Sequence, residues 1–123
     1  MTIIIVALFI HFLADFVFQT SWMSQNKSKS FKALSAHIIE YMYVSILLFV
    51  LYFAIFTNIR PTTEFFVFIL INSLTHFGID TVTSRLTSYF WKKQEVHNFF
   101  VVVGFDQLLH TAILIWSVQK FLF

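Results

Sequence analysis

The chain contains no cysteine, one proline and two glycines in 123 residues. The lack of cysteine excludes disulfides, thiolate metal sites, cysteine nucleophiles and iron–sulfur clusters. Charge is also scarce, since 11% of the residues are Asp, Glu, Lys or Arg, whereas a soluble domain carries about a quarter. In contrast, 59% of the residues are hydrophobic and eighteen are phenylalanine. This composition predicts an integral membrane protein with a single domain, residues 1–123, whose phenylalanines face lipid.

Four stretches are long and apolar enough to cross a bilayer, which takes about twenty residues per helix. They are residues 1–20, 33–59, 62–84 and 97–123. The first lacks a basic start and a small-residue cleavage site, so we expect a retained helix rather than a signal peptide. Short connections make neighbouring helices antiparallel. The predicted fold is therefore all-α, an antiparallel four-helix bundle in the membrane, with Pro61 opening the third helix and Gly78 and Gly104 at close helix contacts.

Basic residues mark the first and third connections between these spans. They are Lys27, Lys29 and Lys32 in the first, and Arg85, Lys92 and Lys93 in the third. The positive-inside rule places both connections in the cytoplasm and both termini outside. We expect the third connection, residues 85–96, to lie on the membrane surface. The chain is thus predicted to be a multi-pass membrane protein, with the lipid bilayer and not nucleic acid as its partner.

Four histidine–carboxylate pairs inside the apolar stretches are the main functional signal. They are His11/Asp15, His37/Glu40, His76/Asp80 and Asp106/His110. A separation of three or four residues puts both members of a pair on one helix face. Ionisable groups in a membrane cost at least a few kcal/mol each, so they persist mainly where they are paired and functional.

Depth below the cytoplasmic surface follows from the helical rise of about 1.5 Å per residue. The rise places all four pairs in one layer, roughly 6 to 20 Å deep. Gln19, Tyr41 and Asn72 extend the polar helix faces, and Gln107 adjoins the fourth pair. We expect these four side chains to hold the charged ones in place by hydrogen bonds. Residues 11–15 and 76–80 share His, Phe and Asp at the same positions, a faint sign of a duplicated helical hairpin.

Imidazoles and carboxylates that converge from several helices are how helical bundles build metal sites. The expected ligands are His11, Asp15, His37, His76, Asp80, Asp106 and His110, for one divalent metal ion or two. Zn is the metal we expect, with Mn, Fe or Ni as alternatives. Metal-bound water is a nucleophile, and Asp106 and Glu40 are the candidate general bases. The predicted function is metal-dependent hydrolysis of a membrane-borne or amphiphilic, lipid-like substrate reached from the cytoplasm.

Other interpretations stay open. The pairs are also compatible with plain hydrogen bonds that hold the bundle together. The same groups suit a proton- or metal-ion-coupled transporter, or a channel formed by several copies of the chain. The apolar outer halves of the spans argue against a continuous polar route. A third alternative is a phage-type membrane protein that inserts into or blocks a partner.

A family resemblance rests on these same residues. The chain reads His11-x-x-Ala14-Asp15-Phe16-x-x-Gln19-x-x-Trp22-Met23, then His37, His76-x-x-x-Asp80 and Asp106-Gln107-Leu108-x-His110. It resembles, over nearly its whole length, the bacterial and phage membrane family called domain of unknown function 3307. That resemblance implies no established activity. The chain is more distantly similar to membrane-bound metal-dependent hydrolases, and this likeness implies a metal and hydrolysis by analogy.

Overall fold

Helices account for the regular structure of the protein in the computed structural model, which describes residues 2–123. The elements in chain order are α1 (Thr2–Phe12), a π-helix (Leu13–Val17), α2 (Ser21–Asn26), α3 (Phe31–Phe56), α4 (Thr63–Lys92) and α5 (Val96–Phe121). The prediction of an all-α fold is confirmed. Helices α3, α4 and α5, with 26, 30 and 26 residues, are each long and apolar enough to cross a membrane.

The first predicted span, residues 1–20, is not one uniform α-helix. Its α-helical part ends at Phe12, and the π-helix continues it to Val17. The backbone N–H of Phe18 donates to the carbonyl of Leu13 at 2.9 Å, five residues back. A π-turn accommodates one extra residue and often lies at a functional site. Here the two buried residues of the wide turn are Ala14 and Asp15, so the turn delivers a carboxylate to the interior.

The predicted end of the third span and the predicted place of Pro61 at the start of its helix were wrong. Helix α4 continues to Lys92, so most of the predicted surface connection is helix, and Gln94, with φ 59°, lies in the short turn that follows. At the other end Pro61 precedes the helix, because the Thr62 hydroxyl accepts a hydrogen bond from the Phe65 N–H and caps it. The Thr62 side-chain oxygen accepts a hydrogen bond from one of the N–H groups that the first turn of a helix leaves free, whereas a proline side chain has no acceptor atom. The bounds of α3 and α5 lie close to the predicted ones.

The four longest apolar segments surround a common interior. Helix α1 packs against α3 and α5, and α4 also packs against α3 and α5. Helices α1 and α4 therefore face each other across the interior, as do α3 and α5. Helix α2 packs against α3 and covers one end of this arrangement.

Neither glycine lies at a close helix contact, so that prediction was wrong. A Cβ atom added to Gly78 or Gly104 would meet nothing within 4 Å, and both residues are exposed. The fully buried small residues are instead Ala14, Ala33 and Ser117. Alanine and serine allow close helix packing without the loss of helix propensity that glycine brings.

An aromatic core fills the interior at the end away from α2. The Phe49 ring lies edge-on to Phe68, with centroids 5.4 Å apart, and to Phe65, with centroids 5.8 Å apart. Phe53 joins this group, and Ile10 and Leu114 pack against it. These phenylalanines are buried, so the expectation that the phenylalanines of the chain face lipid was wrong for them. The core forms a dry base below the ionisable residues.

Replacing Phe49 should destabilise the fold. Phe49 is 2% exposed, and Phe49→Ala leaves a cavity in the aromatic core. We expect the free energy of unfolding to fall by about 3 kcal/mol, measured by chemical denaturation of the purified protein in detergent. Phe100→Ala is the matched control, because Phe100 is 61% exposed and its loss should change stability by less than about 0.5 kcal/mol. Equal losses for the two variants would contradict this account of the core.

Candidate metal centre

Histidine and carboxylate side chains from five elements meet at one level of the interior. They are His11 from α1, Asp15 from the π-helix, His37 from α3, His76 and Asp80 from α4, and Asp106 and His110 from α5. We call these seven residues the polar layer. The structure brings together every residue that the sequence nominated as a metal ligand. All are buried except Asp106, which is partly exposed.

Four members of the polar layer, which we call the tetrad, form its tightest part: Asp15, His37, His76 and Asp80. The Nε2 atoms of His37 and His76 lie 3.2 Å apart. Asp15 Oδ1 lies 3.1 Å from the first and 3.2 Å from the second, and Asp80 Oδ2 lies 3.4 Å from each. In a tetrahedral zinc site with bonds of about 2.0 Å, neighbouring ligand atoms are about 3.3 Å apart. The tetrad has the spacing of such a ligand set.

His11 and His110 lie against the other oxygens of the two aspartates. His11 Nε2 is 3.6 Å from Asp15 Oδ2, and His110 Nε2 is 3.7 Å from Asp80 Oδ1. The two rings lie 5.6 Å apart between centroids. Each aspartate therefore presents one oxygen to the tetrad and its other oxygen to a further histidine.

Two histidines are also contacted at their second ring nitrogen by a carboxylate. His37 Nδ1 lies 3.5 Å from Glu40 Oε2, and His110 Nδ1 lies 3.3 Å from Asp106 Oδ2. Histidines that bind metals are usually fixed in this way, since the outer carboxylate sets the ring orientation and the tautomer. Both pairs have the i,i+3 or i,i+4 spacing of this arrangement, but neither contact is a hydrogen bond, since His37 Nδ1 and His110 Nδ1 have no hydrogen-bond partner among residues 2–123.

The two candidate general bases lie in different surroundings. Asp106 lines a cavity of about 160 Å³ beside the polar layer and accepts hydrogen bonds from the Thr83 hydroxyl and the Gln107 side chain. Glu40 packs behind the His37 ring and is not among the residues that line this cavity. Of the two candidate bases, Asp106 therefore borders the cavity, and Glu40 lies beside His37 away from it.

The remaining predicted polar residues divide between the site and the scaffold. Gln107 Nε2 donates to Asp15 Oδ2 at 3.3 Å, and the Tyr41 hydroxyl pairs with His11 Nδ1 at 3.0 Å. Gln19 lines the cavity. Asn72 lies one turn deeper than His76, and its Nδ2 donates to Ser117 Oγ at 2.8 Å. Asn72 thus joins α4 to α5, because Ser117 provides the acceptor at that depth.

Lys27 is a site residue that the sequence did not single out. Its Nζ donates to Asp80 Oδ2 at 3.0 Å, and its side chain is 20% exposed. Burial lowers the pKa of the Lys27 ammonium, but the Asp80 and Asp15 carboxylates raise it more, so the net pKa lies above the ordinary lysine value. In the sequence Lys27 shares its connection with Lys29 and Lys32, and no pattern distinguishes the three. Only the fold directs Lys27 inward.

The cavity joins the polar layer to the exterior at the end that carries α2. Its polar lining includes Lys27, Thr83 and Asp106, and Phe16 and Phe99 supply apolar walls. A group that enters it meets carboxylate, hydroxyl and ammonium side chains next to the tetrad. Such a mixture suits a ligand with a polar head and an apolar body.

Removing the Lys27 charge should destabilise the metal-free protein. Lys27→Met keeps most of the aliphatic stem but leaves Asp80, which is 2% exposed, without its cation. We expect the free energy of unfolding in the presence of chelator to fall by about 2 to 3 kcal/mol, since breaking a buried ion pair strands its partner. The matched control is Lys29→Met, because Lys29 is exposed; denaturation in detergent should give a change below about 0.5 kcal/mol. Indistinguishable variants would show that the ion pair carries no stability.

Comparison with known proteins gives one match. No curated protein and no solved structure matches the chain. The model of a family described as "Protein of unknown function (DUF3307)" matches residues 3–122. The matched region contains the whole polar layer together with Lys27 and Glu40. The chain therefore belongs to the DUF3307 family.

Proposed function

We propose that this protein is a membrane-embedded, metal-dependent hydrolase that acts on a membrane-borne or amphiphilic substrate. In this proposal α1 with the π-helix, α3, α4 and α5 form an antiparallel four-helix bundle in a bacterial cytoplasmic membrane. The end that carries α2 and Lys27 faces the cytoplasm, as the basic connections indicate. The polar layer then lies below the cytoplasmic surface, and the aromatic core lies in the outer half of the bilayer.

The observation that carries the metal proposal is the spacing within the tetrad. Its two Nε2 atoms lie 3.2 Å apart, and both face the same two carboxylate oxygens at 3.1 to 3.4 Å. A hydrogen bond between the two nitrogens would satisfy one of these contacts. A cation between the four atoms satisfies all of them together. Two nitrogens and two oxygens suit Zn, with Mn, Fe or Ni as alternatives.

Charge balance supports the same conclusion. When the imidazoles are neutral, the carboxylates of Asp15, Glu40, Asp80 and Asp106 carry four negative charges, and Lys27 offsets one, which leaves three. Among residues 2–123, Lys27 is the one Lys or Arg within ion-pair distance of these carboxylates. Uncompensated charges in a low-dielectric interior are strongly unfavourable. A divalent cation offsets them while the imidazoles remain neutral.

The residues around the cavity supply the other requirements of hydrolysis. The bound metal would lower the pKa of a coordinated water and make it a nucleophile. Asp106 lies at the cavity wall and is held by Thr83 and Gln107, so it is placed to accept a proton. Phe16 and Phe99 offer apolar contacts to the body of a lipid-like substrate, and Lys27 lies where its polar head would enter.

The position of the aromatic core favours a hydrolase over a transporter. Below the polar layer, hydroxyl and amide groups continue for one to two helical turns, at Ser45, Asn72 and Ser117. Beyond them Phe49, Phe53, Phe65 and Phe68 are buried against one another. An ion path needs polar groups along its whole length. The interior thus supports a site that opens to one side.

Metal content is the direct test of the proposal. Elemental analysis of the purified protein, loaded with Zn²⁺ and dialysed, should show at least one equivalent of tightly bound metal. His76→Asn and Asp80→Asn should each lose it, because each removes one corner of the tetrad. His97→Asn is the matched control, since His97 is exposed and lies outside the polar layer; it should retain the metal. A wild-type protein without bound metal would refute the proposal.

Hydrolysis requires a separate measurement. We expect the metal-loaded protein in mixed micelles to cleave a fluorogenic acyl ester or p-nitrophenyl phosphate, and chelator to abolish the cleavage. Asp106→Asn should reduce the rate by about 100-fold or more, as expected for loss of a general base, while the metal ion of the tetrad is kept. Metal binding without cleavage of either probe, together with metal-dependent ion flux in liposomes, would instead favour the transporter.

A further inference from the structure

We propose that the centre is dinuclear, with Asp15 and Asp80 bridging two divalent cations. The first cation lies between His37 and His76, as proposed above, and the second lies between His11 and His110. This inference rests on the proposed metal function and adds a second site to it. It assigns a ligand role to every histidine of the polar layer.

The orientation of the two aspartates is the first argument. Asp15 presents Oδ1 to the tetrad and Oδ2 to His11 Nε2, at 3.6 Å. Asp80 presents Oδ2 to the tetrad and Oδ1 to His110 Nε2, at 3.7 Å. One ligand atom from each of His11, Asp15 and His110 lies within 4.8 Å of the others. A carboxylate that faces two nitrogen groups with its two oxygens has the arrangement of a bridging ligand, as in bundle sites for two metals.

The second argument is a pair of buried, unpartnered nitrogens. His11 and His110 are 6% and 5% exposed, and the Nε2 atoms of both lack a hydrogen-bond partner among residues 2–123. Buried polar atoms are nearly always paired, so each exception requires an explanation. Each of these two nitrogens lies 3.6 to 3.7 Å from the aspartate oxygen that does not face the tetrad. A cation there would satisfy both nitrogens at once.

The third argument is the approximate two-fold symmetry of the ligands. The segments 11–15 and 76–80, which share His, Phe and Asp, lie on opposite sides of the interior because α1 faces α4. Exchanging α1 with α4 and α3 with α5 converts one metal site into the other. Each site then takes one histidine from a repeated segment, one from α3 or α5, and one oxygen from each aspartate.

The second site also connects the centre to the cavity. Asp80, Asp106 and His110 offer ligand atoms within 4.8 Å of one another, and Asp106 lines the cavity. One divalent cation reduces the three uncompensated negative charges to one, whereas two cations give a net charge of +1. A site of that charge favours an anion at the cavity face, either hydroxide or an oxygen of an acidic substrate group such as phosphate.

Metal stoichiometry tests the inference separately from the proposed function. We expect two equivalents of Zn²⁺ or Mn²⁺ per chain in the wild type and in His97→Asn, and one equivalent in His110→Asn, which keeps the tetrad. One equivalent in the wild type, unchanged by His110→Asn, would overturn the dinuclear centre and leave the proposed metal function standing. No metal in the wild type would overturn both.

Electron paramagnetic resonance of the Mn²⁺-loaded protein gives a readout that does not depend on the variants. Two ions that share bridging carboxylates should show an exchange-coupled signal, and His110→Asn should show the six-line signal of isolated Mn²⁺. If His110→Asn loses both ions or fails to fold, the wild-type signal decides. An uncoupled six-line signal from wild type with two bound equivalents would place the second ion elsewhere and refute the bridge.

Discussion

The burial of carboxylates in an apolar interior is the constraint on which the rest of this structure depends. Asp15 and Asp80 are almost fully buried, and the Lys27 ammonium group pairs with Asp80. Imidazoles from α1, α3, α4 and α5 surround them, so each helix contributes to the balance of charge. The packing of the four helices consequently depends on how the buried negative charge is compensated. The proposed cations would compensate it directly.

The backbone contains two features that serve this arrangement. The π-helix at Leu13–Val17 turns Asp15 inward and interrupts the regular α-helical hydrogen-bond pattern. Such π-turns are frequently found at functional sites. The aromatic core around Phe49 closes the interior below the polar layer and keeps water on one side. In the proposed site, a dry base would let the carboxylates interact strongly with a cation, because the local dielectric is low.

Much of the site followed from spacing alone, and the failures have physical causes. The i,i+3 and i,i+4 pairs predicted which residues share a face, and the helical rise predicted that the four pairs lie in one layer. The basic and polar composition after residue 84 predicted the end of the third helix too early. Helix α4 continues to Lys92 because no proline or glycine interrupts it between Arg85 and Lys92. Gly78 and Gly104 suggested close packing, but small size is necessary for it and not sufficient.

The sequence by itself determined the all-helical fold, the three membrane-length helices α3, α4 and α5, and the pairing of histidine with carboxylate. These features depend on local periodicity and hydropathy. Tertiary structure decided which nitrogens face which oxygens, that Lys27 rather than Lys29 enters the interior, and that Glu40 lies behind His37 while Asp106 borders the cavity. These outcomes depend on the rotation of each helix about its axis and on the π-turn. Packing between segments that are distant in the chain sets both of these features, and local sequence patterns carry no information about that packing.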